Sequence, residues 1–188
     1  MAISFEWRGY DGTDWNFVIG ATNVFGFYGA GGFGSPIQVG HYNDSFHIKT
    51  SLSDDSDACP APHLTNLKYI SDTEVSVNGG APVSLTSVTE EQCIRISVIS
   101  DTNIQVIATR FYVYDGTNVD NPPANVTFKA FKQGNSNWSQ PHGRTNALSL
   151  GDSTTPSTTH YFYVGMSVSP TATGASSVFV SRVEVDIT

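Results

Sequence analysis

The chain has 188 residues and a formal net charge of −8, with 39% hydrophobic, 12% aromatic and only 14% charged residues. That length suits one domain with a sizeable core, and the apolar content excludes wholesale disorder. Nine Lys and Arg are scattered among 17 acids, which excludes the clustered cations a phosphate backbone requires, so nucleic acid is not an expected partner.

No segment approaches the roughly 18 uninterrupted apolar residues of a membrane span. The start, Met1 to Glu6, carries neither a basic nor an apolar leader-type stretch, so a secretory signal is not expected. Ile3, Phe5 and Trp7 alternate with Ser4, Glu6 and Arg8, the period of a half-buried strand. Tyr10-Asp11-Gly12-Thr13 then supplies a hairpin signal. Nine of the 22 aromatics (11 Phe, 8 Tyr and 3 Trp in all) fall within the first 33 residues, interleaved with Gly26, Gly29, Gly31, Gly32 and Gly34. Gly29 to Gly34 formally fits G-x-G-x-x-G, but Ser35-Pro36-Ile37 follows where a dinucleotide site needs a helix, so no cofactor is expected.

His41 and His47, with Asp44 between them, would need a third ligand from His63 or His142 to hold a metal, and they read as polar turn residues. Residues 51–63 read as a long loop. Its Asp54, Asp55 and Asp57 lack the glycine and the closing Glu of an EF-hand, so no metal is expected there. Cys59 and Cys93 have no metal-type spacing, and whether they pair is left open.

Further along, Asn78-Gly79-Gly80 separates Val75 and Val77 from Val83 and Leu85 as a hairpin would. Residues 88–92 suit one helical turn. The neighbouring Glu90 and Glu91 would point to opposite faces of a strand and make a poor acid/base pair for glycoside chemistry. Ile94, Ile96 and Val98 mark a strand, as do the β-branched and aromatic residues 104–114. Tyr114-Asp115-Gly116-Thr117 repeats the hairpin signal, and residues 117–125, with Pro122-Pro123, read as a loop. Val126, Phe128 and Ala130 mark the next strand. Residues 134–160 are polar and turn-rich, and are expected to be the most exposed long segment. Within them Trp138, flanked by Asn and Gln, is a candidate sugar-stacking residue. Residues 161–169 and the run Phe179, Val183, Val185 and Ile187, opposed by Arg182, Glu184 and Asp186, close the chain as strands.

These elements predict an all-β fold in one domain over 1–188: an antiparallel β-sandwich, jelly-roll-like, with long loops. Nine aromatics exceed what two or three short strands bury on one side, so residues 1–34 are expected to make an assembly contact, with Phe27, Tyr28 and Phe33 as its candidates. No G-x-S-x-G elbow or Cys–His signature is present, and the chain is not expected to be an enzyme.

Residues 5–50, with their aromatic start, glycine-rich stretch and Tyr42-Asn43-Asp44-Ser45-Phe46-His47-Ile48, resemble the structural proteins of tailed phages, including cyanophages. Tyr161 to Pro170 followed by Phe179 to Ile187 is similar in style to the closing hairpin of those proteins. The resemblance implies a virion location and a role as a capsid decoration (cement) protein, or as a tail, baseplate or fibre component. Other virion proteins, the major capsid protein among them, would be its partners, with self-association as a homo-oligomer. The alternative from a different class is a carbohydrate-binding or host-receptor-binding module that uses Trp138.

Overall fold

Alternation of apolar and polar residues recurs along Ile3–Trp7, Ile94–Val98 and Phe179–Ile187, and the described segments are built of strands. The computed structural model describes residues 3–10, 13–15, 17–19, 24–27, 46–49, 67–77, 79–101, 104–153, 157–168 and 179–188. Among them run β1 (Ile3–Gly9), β2 (Phe17–Ile19), β3 (Val24–Phe27), β4 (Phe46–Lys49), β5 (Leu67–Ser71), β6 (Glu74–Val77) and β7 (Pro82–Ser84). They are followed by β8 (Ile94–Ser100), β9 (Val106–Asp115), β10 (Val126–Lys132), β11 (Leu148–Ser153), β12 (Ser157–Val168) and β13 (Phe179–Ile187). Three single 3-10 turns complete the regular structure, and no α-helix occurs among the described residues. One of the turns, Glu90–Gln92, falls where the sequence suggested a helical turn; the Gln92 side chain accepts from the Thr89 N–H at 2.9 Å.

The strands form an antiparallel β-sandwich. A five-stranded sheet runs in the order β10-β12-β8-β1-β2, a second sheet is β11-β9-β13, and β5-β6-β7 form a meander; β3 and β4 pair as a separate ribbon. Register assigns the faces of the large sheet. Phe5↔Val98, Trp7↔Ile96, Ile94↔Phe162, Phe128↔Met166 and Ala130↔Val164 all point toward the second sheet. Ring contacts across the layers are tight: Phe111 meets Phe162 at 4.7 Å between centroids, and Phe128 meets Phe179 at 4.9 Å. Burial of side chains of this size stabilises the fold by about 1.5–3 kcal/mol each.

The large sheet is also covered on part of its other face. Phe131 and Tyr163, cross-strand partners on that face, join Leu67, Val75 and Leu85 of the meander segment in the buried cluster. The loop after β10 closes this layer. Trp138 donates its backbone N–H to the Asp72 carbonyl at 2.9 Å and its indole N–H to the Glu74 carbonyl at 3.4 Å.

Several expectations change. Asp115-Gly116 does not turn a hairpin, because β9 and β10 belong to different sheets; the Asp115 carboxylate instead accepts from the Thr117 N–H and hydroxyl at 3.0 Å, bending the chain across the sandwich. Residues 134–160 are not one long exposed segment: they include β11 with buried Leu148 and Leu150, buried Trp138, and the start of β12. Their polar residues misled because the apolar ones are few but regularly placed. β6 and β7 pair as a hairpin, as expected, with Gly79 at φ 76° between them; Asn78 lies outside the described residues.

Candidate functional site

The amino-terminal aromatics divide between two environments. Phe5 and Trp7 face inward, Trp7 meeting Phe162 at 6.0 Å. On the outer face of the large sheet Tyr10 and Trp15 meet at 5.6 Å while Trp15 lies 5.2 Å from Tyr161. All three are only partly buried.

Arg8 and Arg95 stand directly opposite each other on β1 and β8, on this same face. Like charges in that relation repel. Arg8 is tied by its Nε to Glu6 at 3.2 Å and by a terminal N–H to the Trp15 carbonyl at 3.2 Å. Arg95 instead packs against the Trp15 ring, with its guanidinium carbon 5.2 Å from the ring centre. Its Nε is the one buried side-chain polar atom among the described residues without a hydrogen-bond partner. Burial and then the charge of Glu90 hold the Tyr161 hydroxyl above its ordinary pKa, so it is a neutral donor at physiological pH. The result is a surface of three aromatic rings and two guanidiniums at the open end of the large sheet.

A second cluster lies on the outer face of β11-β9-β13. Glu184 accepts from Tyr112 Oη at 2.8 Å, Arg144 Nε at 2.7 Å and Arg110 at 3.0 Å; Arg110 also binds Asp186. Desolvation raises the pKa of Glu184, but the hydrogen bonds from Tyr112, Arg144 and Arg110 outweigh it and hold the carboxyl below its usual range. Burial, and then the neighbouring carboxylate, push the Tyr112 hydroxyl up to about 12.

The sequence-predicted site residues are placed as follows. Phe27 lies in β3 opposite Phe46, while Tyr28 and Phe33 fall outside the described residues, as do His41, His63, Asp54, Asp55, Asp57 and Cys59. His47 lies in β4 opposite Gly26. Trp138 does not offer a stacking face to a sugar: it is 7% exposed, and Phe131, Tyr69 and Tyr163 surround it at 4.7, 5.9 and 6.4 Å. Its neighbours Gly134, Asn135, Ser136, Asn137 and Ser139 line a surface cleft of about 370 Å3. His142 accepts the Phe128 N–H at its Nε2, 2.8 Å away, and burial lowers its pKa, so it serves as a neutral internal acceptor. Cys93 is a free, buried thiol whose pKa is raised by desolvation and by the nearby Glu90 and Glu91.

Tyr10, Trp15, Arg8, Arg95 and Tyr161 were not singled out from the sequence as a site. Alternation marks Arg8 as outward-facing, but its juxtaposition with Arg95 requires the β1–β8 register, a pairing of distant segments. No family model, curated protein or solved structure matches the chain significantly.

Proposed function

We propose that the chain is a virion structural protein of a tailed phage, a capsid decoration protein that acts by contact with other virion proteins, the major capsid protein among them, and with copies of itself. The observation that carries this proposal is the partly buried Tyr10–Trp15–Tyr161 cluster with Arg95 on the outer face of the large sheet. Aromatic rings and Arg are the residues enriched at protein–protein interface cores, and an apolar cluster rimmed by charge suits an interaction site. The cluster belongs in part to residues 1–34, where the sequence also places Phe27, Tyr28 and Phe33. A contact role is further supported by how reactive groups are used. Glu184 is tied by Tyr112, Arg144 and Arg110, His142 holds the Phe128 backbone, and Lys129 donates to Asp72 at 2.6 Å.

The test is recovery with purified particles. Wild-type protein is expected to co-sediment with them, and Tyr10→Ser with Trp15→Ser to lose that association while retaining a β-type circular dichroism spectrum. Undiminished co-sedimentation of the folded double variant would place the contact elsewhere, and no association of the wild type with any particle fraction would remove the virion role.

A further inference from the structure

On the outer face of the β11-β9-β13 sheet, a cleft of about 410 Å3 is lined by Arg110, Asp120, Arg144, Thr145 and Asp186. That volume lies in the range of small-ligand sites. Arg110 and Asp186 come from paired strands β9 and β13, whereas Asp120 comes from the loop after β9 and Arg144 with Thr145 from a 3-10 turn before β11. The lips are joined to each other: the Arg144 N–H donates to the Val119 carbonyl at 2.8 Å, and the Thr145 hydroxyl to Asp120 at 3.2 Å. Gly143 makes the junction possible. It sits at φ 73°, and a Cβ there would lie 2.6 Å from the Asp120 carbonyl oxygen.

We propose that this cleft binds a neutral sugar residue of a glycan. Charge balance is the first reason. In and beneath the cleft, the guanidiniums of Arg110, Arg144 and Arg182 are matched by the carboxylates of Asp120, Glu184 and Asp186. An anion meets carboxylates that already neutralise Arg110, and a cation meets guanidiniums, so neither gains a favourable net field. A sugar hydroxyl is different, because it accepts one hydrogen bond and donates another. Neighbouring ring hydroxyls can take N–H groups from a guanidinium and give O–H groups to a carboxylate, both charge-assisted bonds.

Available valences are the second reason. Arg144 is half exposed and uses its Nε on Glu184, which leaves its terminal N–H groups without a partner among the described residues. Asp120 is exposed and has one carboxylate oxygen engaged by Thr145. Preorganisation is the third: Arg110 is fixed by two carboxylates, and the lips are hydrogen-bonded together, so little side-chain freedom is lost on binding. The cleft beside Trp138 lacks these features, being lined by one loop and by amides and hydroxyls.

This site is separate from the aromatic contact surface, and its occupancy does not depend on the virion role. Saturation-transfer difference NMR on the full chain tests it, with the methyl glycosides of glucose, galactose, mannose and N-acetylglucosamine as probes and methyl glucuronide as the charged comparator. At least one neutral glycoside is expected to receive saturation, with Arg144→Ala and Asp120→Ala each weakening binding about tenfold and leaving the melting curve near that of the wild type. Transfer to none of the neutral probes, stronger binding of the glucuronide, or binding unchanged in both folded variants would overturn the assignment. Thr145→Val, which removes one lip hydroxyl, provides a second variant with little risk to folding. Particle association of these variants is expected to stay intact, so loss of sugar binding and loss of the contact role are read separately.

Discussion

Tyr161 and Tyr163 lie two residues apart on β12 and face the same side of the large sheet, yet their fates differ. Tyr163 is 1% exposed, stacks near Phe131 and accepts the Leu67 N–H on its hydroxyl at 3.3 Å. Tyr161 is only partly buried and borders Trp15 and the neighbouring Arg95. Strand alternation gives both rings the same direction; what crosses above them decides the rest. The β5-β6-β7 meander and Trp138 cover one end of the face and make it a dry layer, whereas Tyr10 and Trp15 are the rings that, among the described residues, gather at Tyr161. One face of β12 thus serves as core at Tyr163 and as surface at Tyr161. The exposed half is where contact is to be sought.

The sharpest way to break this comparison is Trp138→Ala. If the meander end is core, the cavity costs about 3–5 kcal/mol in urea unfolding; a cost within the range of a surface substitution would show that the layer is not packed. Next is Tyr163→Phe, which leaves the buried Leu67 N–H without its acceptor and is expected to cost about 2 kcal/mol. Tyr161→Phe should stay within about 0.5 kcal/mol, as for a surface position.

Glu184→Gln extends the comparison to the other sheet, where an outward-facing but fully buried Tyr112 donates to Glu184 and meets the Tyr114 ring at 5.7 Å. The folded-state pKa of Glu184 lies below its ordinary value of 4.5, so its contribution is complete above that value and disappears as pH falls through the folded pKa. The variant is expected to lose about 1 kcal/mol at neutral pH and to show a shallower loss of stability on acidification below that value than the wild type. An unchanged acid limb in pH-dependent unfolding would mean that the network does not hold Glu184 ionised. A modest effect on stability is expected for Trp15→Ala, about 0.5–1 kcal/mol from the lost Arg95 stacking, with its main consequence read in association. A loss as large as that of Trp138→Ala would make Trp15 core and erase the distinction.

Much of the fold is legible along the chain. Period-two alternation in Ile3–Trp7, Ile94–Val98, Val126–Ala130 and Phe179–Ile187 marks strands and assigns their faces, since successive side chains on an extended backbone must point oppositely. The same logic separates Glu184 and Asp186 from the inward-facing Val183 and Val185. Turn chemistry was less decisive. The Gly79-Gly80 signal joins paired β6 and β7 as a hairpin, but Asp115-Gly116 makes a crossover, because a local signal specifies a bend and not the strand that comes next. Trp138 shows the same limit: polar neighbours describe the loop it sits in, not the meander folded against its ring.

The sequence by itself determined an all-β chain, the faces of its longer strands and an aromatic-rich amino terminus, because these follow from backbone geometry and the distribution of apolar area. Tertiary structure decided what no local pattern encodes. The β1–β8 register sets Arg8 against Arg95, the meander buries Tyr163 and leaves Tyr161 at the surface, and Gly143 lets two distant loops close on Arg110 and Asp186. Each is a meeting of segments far apart in the chain, and such pairings are selected by the packing of the whole sandwich rather than by the residues on either side.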